Sequence, residues 1–309
     1  MVMNKSTLLL ITAVASVLLI NTHFSIASAS DFNLELDLNR GINNNVFLES
    51  DDILRNADAS EQENEDVHTQ LGLMAGYEFL DQENTDAKII VDYFKESFES
   101  NDLDTRIINI SLPISYYTDN FRFRTTLSRT HYQLSGKSVL AYHGGRFDIT
   151  RRIGDNRLGV QFSHTNKDPK DSRYAGYEGS SNDIKLYTQF LNTGNTIQLE
   201  LDVFDNNYQD EFIATQGYYI NSRYSKRHSG HDWGISAKYK NTQYNEDPLY
   251  DVVRNDNQVS ARYSHNVYIH KKSELYFTSE YTLNSSNIES DDDFNYSQWI
   301  NSMGVRISF

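Results

Sequence analysis

The sequence predicts an all-β fold: a closed antiparallel transmembrane β-barrel of about 14 strands, residues 30–309, with long acidic outer loops and short periplasmic turns. Three observations predict it. The chain ends on a strict alternation, with Phe309, Ile307, Val305 and Met303 apolar and Ser308, Arg306, Gly304 and Ser302 between them. Such alternation marks a strand with one apolar and one polar face. A soluble strand of this kind would leave an open edge, whereas a barrel in lipid needs its last strand to pair with its first. Second, similar segments recur along the whole chain. Third, the connections between them alternate between short turns and long polar loops, as in outer-membrane barrels, which carry an even number of strands.

The N-terminus is read apart from the barrel. Lys5, the apolar run Leu8–Ile20 and Ala27-Ser28-Ala29 have the order of a signal peptide, so residues 1–29 are expected to be removed. The apolar run is too short to span a bilayer as a helix. The first strand covers Phe32–Leu38, with Phe32, Leu34, Leu36 and Leu38 on one face. The stretch Gly41–Phe47 and an acidic segment reaching Asp66 follow. The second strand runs over about Val67–Phe79 and the third over about Ala87–Glu96, apolar on both faces at Ile89, Ile90 and Val91. Ile108, Ile110, Leu112, Ile114 and Tyr116 form the fourth. The turn Tyr117–Asn120 leads to the fifth, where Phe121, Phe123 and Leu127 oppose Arg122 and Arg124.

The sixth strand covers about Val139–Arg151 and turns at Gly154–Asn156 into the seventh, with Leu158, Val160 and Phe162. A loop is expected over Asn166–Asn182. The turn Asn192-Thr-Gly-Asn195 is a hairpin signal between an eighth strand (Ile184, Leu186, Phe190) and a ninth (Ile197, Leu199, Leu201, Val203). Arg227–Gly230 turns the tenth strand (Tyr218, Ile220, Tyr224) into the eleventh (Trp233, Ile235, Ala237, Tyr239). Val259, Ala261 and Tyr263 mark the twelfth and Leu275–Leu283 the thirteenth.

A period of two assigns the faces. The inward set is charged with both signs: Glu35, Asp37, Arg122, Arg124, Arg146, Asp148, Arg157, Lys185, Glu200, Asp202, Lys238, Arg262, Glu274, Glu280 and Arg306. A Lys or Arg at the lipid midplane would cost roughly 2–4 kcal/mol, which is the reason to place them in a lumen. The series Arg122, Arg124, Arg146 and Arg157 falls on neighbouring strands, where it would attract anions.

Composition narrows the function. The 28 basic and 43 acidic residues give a net charge of −15, which excludes nonspecific nucleic-acid binding. With no Cys, the chain has no disulfide, thiol nucleophile or Cys-metal site. The 21 Tyr and 16 Phe against 3 Pro suit strands with interfacial aromatic girdles. His228 and His231 flank a turn, and the acidic runs Glu49–Asp52 and Asp291–Asp293 lack the spacing of a Ca²⁺ loop, so no metal or cofactor is expected.

The stretch Ser286-Asn-Ile with Tyr296, Gly304 and Phe309 resembles the closing hairpin of the barrel domain in surface lipoprotein assembly modifiers. The Gly41…Asn45-Val-Phe47 stretch resembles the corresponding region there, and also that of outer-membrane barrels of exopolysaccharide systems. The resemblance implies a translocation barrel in the Gram-negative outer membrane, whose partners are outer-membrane lipids, an exported lipoprotein or polysaccharide, and a separate periplasmic partner. The separate partner is implied because those modifiers usually carry a helical-repeat domain before the barrel, whereas here the first strand follows the signal. Phe309 resembles the C-terminal aromatic read by the barrel insertion machinery. Three further roles stand beside export. One is a general porin-like barrel. Another is a non-conducting surface protein whose acidic loops contact partners. The last is a lipid hydrolase, since His164-Thr-Asn166 resembles the His-x-Ser-Asn arrangement of lipid A deacylases without its Ser. His143 beside Gly144-Gly145 is read as a strand bend. No nucleophile–base–orienter set assembles from the sequence, and the chain is expected not to be an enzyme.

Overall fold

Fourteen strands close into one antiparallel barrel in which each strand pairs with its sequence neighbours and the last with the first. The computed structural model describes residues 32–44, 66–100, 103–247, 252–288 and 295–309. The predicted signal segment, both acidic runs and Asn45–Phe47 lie outside these. The strands are β1 (Phe32–Asn43), β2 (Asp66–Gln82), β3 (Thr85–Phe98), β4 (Thr105–Tyr117), β5 (Phe121–Leu134), β6 (Lys137–Ile153), β7 (Asn156–Pro169), β8 (Gly179–Asn192), β9 (Asn195–Tyr208), β10 (Thr215–His228), β11 (His231–Asp247), β12 (Val252–His270), β13 (Ser273–Ser286) and β14 (Tyr296–Ser308).

One end of the barrel holds six short turns, such as Thr193-Gly194 and Ser229-Gly230, together with the start of β1 and the end of β14. Ser229 and Gly230 both have positive φ (47° and 81°), the backbone of a two-residue hairpin turn that matches strand twist. The other end holds the longer connections, with the two-residue turn Ser135-Gly136 between β5 and β6 as the exception. In outer-membrane barrels the short-turn end is periplasmic and the loop end extracellular.

The outer wall is apolar. Every strand exposes at least one large hydrophobic side chain, and Leu127, Ile235 and Met303 are each 54% exposed. A closed belt of this extent is stable only against lipid. Aromatic contacts edge the belt: Phe121 stacks on Phe123 and Phe123 on Tyr116, and Arg151 lies over Phe121. Tyr224 meets Trp233 edge-on, as Tyr281 meets Trp299. The indole N–H of Trp299 donates to Ser279 at 3.0 Å and Asn301 at 2.9 Å. Such amphipathic rings settle where hydrocarbon meets water.

Two strand readings are refined. The expected Asn166–Asn182 loop is strand at both ends: β7 runs to Pro169 and β8 restarts at Gly179. Between them a 3₁₀ turn, Ser172–Tyr177, packs buried Tyr174 on Val139 and Leu140. Its cap, Asp171, accepts from the Arg173 backbone N–H at 3.0 Å. The Arg173 guanidinium holds the Asp171 carboxyl down to about 2, so the cap is fully formed above the ordinary carboxylate range and lost as pH falls towards 2. In β3 the register places Ile89 and Val91 outward and Ile90 inward. The β3–β4 ladder lapses between Ile114 and Ser111, around Pro113, which has no N–H to give.

Closure is the feature that makes this a barrel, and it rests on β1 and β14. Nine residue pairs join them, from Glu35↔Ser308 to Asn43↔Ile300, and the Phe309 N–H donates to the Leu34 carbonyl at 2.9 Å. Since the chain has no Cys, paired cysteines at Leu38 and Val305 test the seam directly. Oxidation is expected to link them in the folded protein, shown by altered gel mobility that reductant reverses. A folded barrel in which they stay as free thiols would rule out this closure.

Candidate lumen and its charged wall

The lumen follows from parity. Residues opposite one another in a ladder share a face, so the outward Leu127 places Gly145 outward and, one and three residues along, Arg146 and Asp148 inward. Carried around all fourteen ladders, the same reasoning puts the whole inward set of fifteen charged residues named above on the face opposite the apolar belt.

These charges are organised, not scattered. Arg122 pairs with Asp148 at 3.3 Å, Lys185 with Asp202 at 3.6 Å and Arg262 with Glu280 at 3.7 Å. Arg306 reaches three carboxylates: Asp37 at 2.7 Å, Glu274 at 2.9 Å and Glu35 at 3.3 Å. Glu200 accepts from Gln198 at 2.6 Å and Asn221 at 3.1 Å. Lys238 sits 4.4 Å from the Tyr219 ring centre, with Lys185 5.6 Å from the same ring. Arg124, Arg146 and Arg157 make no ion pair among the described residues, and the Arg124 Nε is buried without a partner there.

In the lumen pairs the cation is the more exposed partner. Side-chain exposure is 34% for Arg122 against 8% for Asp148, and 38% for Arg306 against 11% for Glu274. In these two pairs the carboxylate lies against the wall and the cation reaches towards the lumen water.

Two clamps of one design stand on the inner wall. Tyr187 on β8 lies over Gly159 on β7, where a Cβ would collide with its ring, and its hydroxyl donates to Asp148 on β6 at 2.7 Å. Tyr276 on β13 lies over Gly304 on β14, and its hydroxyl donates to Asp37 on β1. Each carboxylate is also held by an arginine, Arg122 or Arg306. An aromatic ring on a glycine covers the exposed strand backbone. Only the register brings these residues together, so the sequence reading named the charges and missed the tyrosines and glycines that hold them.

At the turn end the lumen opens into a cavity of about 970 Å³. Six inward basic side chains line it, Arg152, Arg157, Arg223, Arg227, Arg262 and Arg306, against two acidic ones, Asp155 and Asp232. Arg152 and Arg157 stand opposite one another in the β6–β7 ladder. Among the described residues, neither these two nor Arg223 has a carboxylate within ion-pair distance.

The histidines stand elsewhere. His164 is on the outer wall, with Nδ1 2.8 Å from the Asn182 Oδ1, and its hydrogen bond does not run to a serine. His143 is also outward, opposite Arg129. His231 stacks on His265, their ring nitrogens 3.2 Å apart, at the turn end of the outer wall.

The clamp can be tested on Gly159. Gly159→Ala is expected to displace Tyr187 and lower unfolding stability by about 1–3 kcal/mol, as overpacking does. In that background Tyr187→Phe should cost less than it does alone, because the two share one contact. Additive losses in a denaturant series would remove the clamp.

No protein-family model and no curated protein matches the sequence. Among solved structures, a loop-deletion form of OmpT, an outer membrane protein of Vibrio cholerae, matches with a TM-score of 0.54 at 7% identity, over 90% of this chain and 98% of that one. The in-vitro folded OmpT gives 0.54 at 6% identity, over 90% and 97%. The likeness is one of fold, and it joins the apolar belt, the closed strand order and the polar inner wall. This chain is therefore a transmembrane β-barrel with the fold of outer-membrane barrels, closed by fourteen strands around a charged lumen.

Proposed function

We propose that the barrel is a porin-like passive conduit with a preference for small anionic solutes. The single observation that carries this reading is the basic cavity at the turn end, six inward cationic side chains against two anionic ones in a chain of net charge −15. A charged mouth with low-dielectric walls concentrates ions of the opposite sign. Along the wall each paired cation is more exposed than its carboxylate, which gives the lumen water the same polarity. Transport by this route needs no cofactor and no catalytic group. The surface-lipoprotein role implied by the resemblance is a finer version of the same translocation reading, with a polypeptide as cargo and a separate periplasmic partner.

Planar-bilayer recording tests the conduit. Arg152, Arg157 and Arg223 replaced together by Gln are expected to leave stepwise conductance in place and to bring the anion-to-cation permeability ratio close to one. Reversal potentials in a salt gradient read that ratio. A wild-type barrel with no conductance steps, or a triple variant with unchanged reversal potential, would overturn the anion-conduit reading.

A further inference from the structure

The inner wall does not hold all the basic residues. The same parity that puts Arg122 and Arg124 inward puts Arg129 and His131 outward, since they share a face with Leu127. Neighbouring strands add to them. Lys95 on β3 stands directly opposite Arg106 on β4. Arg106 lies diagonal to His131 on β5, whose direct partner is Ile108. Arg129 stands directly opposite His143 on β6, and His143 is diagonal to His164 on β7, which faces Gly145. Direct partners in a ladder have Cβ atoms about 4.5–5.5 Å apart and diagonal ones about 7–8 Å. The six side chains thus form one unbroken band across five strands.

The band sits at a particular height. On β5 the outward residues read Phe121, Phe123, Thr125, Leu127, then Arg129 and His131. On β7 they read Leu158, Val160, Phe162, then His164. The band therefore starts where the apolar belt stops, on the loop side, at the level of the outer-leaflet headgroups. On β8–β14 the corresponding outward positions are neutral or acidic, among them Asn182, Asp205, Gln216 and Asn257, and the one outward Lys or Arg there, Lys226, lies at the turn end.

Like charges directly opposite in a ladder repel, and the band places Lys95 against Arg106 in this way. Protein carboxylates offset little of it. Asp104 is 3.7 Å from Lys95, and Asp168, which is near Arg129 and His143, is hydrogen-bonded to Lys170. Arg106 and Arg129 are exposed and make no ion pair among the described residues. Beside His143 the wall opens into a recess of about 640 Å³, whose lining includes Asn166, Ser180 and Asn207, with amides and a hydroxyl that suit a sugar, and Lys167 beside the carboxylates Asp168 and Glu178.

We propose that this band is a binding site for a phosphorylated glycolipid of the outer leaflet, its phosphates on Arg106, Arg129 and His143 and its acyl chains against Ile108, Ile110 and Leu127. Guanidinium groups take phosphate through paired, charge-assisted hydrogen bonds, and clustered basic residues at a membrane surface select anionic headgroups. All six groups face away from the lumen, so the inference stands or falls separately from the conduit.

The test is thermal unfolding of the purified full barrel in zwitterionic detergent, followed by the gel-mobility shift between folded and heat-unfolded forms. Diphosphorylated lipid A is expected to raise the unfolding temperature, dephosphorylated lipid A to raise it much less, and inorganic phosphate alone to leave it unchanged. Arg106→Gln/Arg129→Gln/His143→Gln should abolish the difference between the two lipids while keeping the ion selectivity of the parent. Equal protection by both lipids, the same protection from inorganic phosphate, or a triple variant that still discriminates would each overturn the site. Should the triple variant fail to fold, Arg129→Gln alone is expected to narrow the difference between the lipids, and an unnarrowed difference would count against the site. The wild-type lipid comparison depends on no variant.

Discussion

A backbone N–H or C=O left unpaired in hydrocarbon costs several kcal/mol, and this sets the terms for the whole chain. A sheet of fourteen strands in lipid has two edges until β1 meets β14, so closure is the condition on which every other strand depends. The seam is reinforced from the inside. Tyr276 crosses from β13 over Gly304 on β14 to reach Asp37 on β1, and Arg306 ties β14 to Asp37 and Glu35 on β1 and to Glu274 on β13. These contacts join residues 32–44 to the last fourteen of the chain, the longest loop closure the fold contains. Loop-closure entropy opposes that step, and the charged inner contacts act where it is greatest.

Closure then separates the chemistry of the chain by parity. Apolar side chains face lipid, and both signs of charge face inward. Side-chain length decides what the water sees. Asp has one methylene and stays at the wall, whereas Arg extends past it. Asp148 and Asp202 are buried while their partners Arg122 and Lys185 are more exposed. Where an Asp pairs with an Arg or Lys on the inner wall, the longer base is the part nearer the lumen water. The loop regions hold the acid that gives the chain its net charge of −15.

The membrane-embedded part of the fold was legible because lipid on one face and water on the other impose a period of two. Phe121 to Leu127 and Ile197 to Val203 show it residue by residue. Beyond the belt both faces are wet, and the signal ends even though the strand continues. This is why Asn166–Pro169 and Gly179–Asn182 read as loop yet form ladder pairs. The same limit hid the outward charges. Assigning charge to the lumen holds at the midplane, where an ion in lipid is costly, and fails above the belt, where Arg129 continues the outward parity of Leu127 at little cost. The parity was in the sequence; the height at which it changes meaning was not. The clamps needed more again, since Gly159 and Tyr187 meet only through the register of β7 and β8.

The clamps also bear on how open the lumen is. A tyrosine on the inner wall of a barrel this narrow would ordinarily point across it. Here the partner residue is glycine, and the ring lies flat in the space a side chain would have filled, with the hydroxyl fixed to an aspartate on the next strand. Tyr187 and Tyr276 are thus held along the wall on two separate arcs of the barrel, β6–β8 and β13–β1. A larger residue at either glycine would lift the ring off the wall and into the water. The glycines in this reading serve the passage as much as the sheet: they allow two bulky side chains to brace three strands each without occupying the lumen.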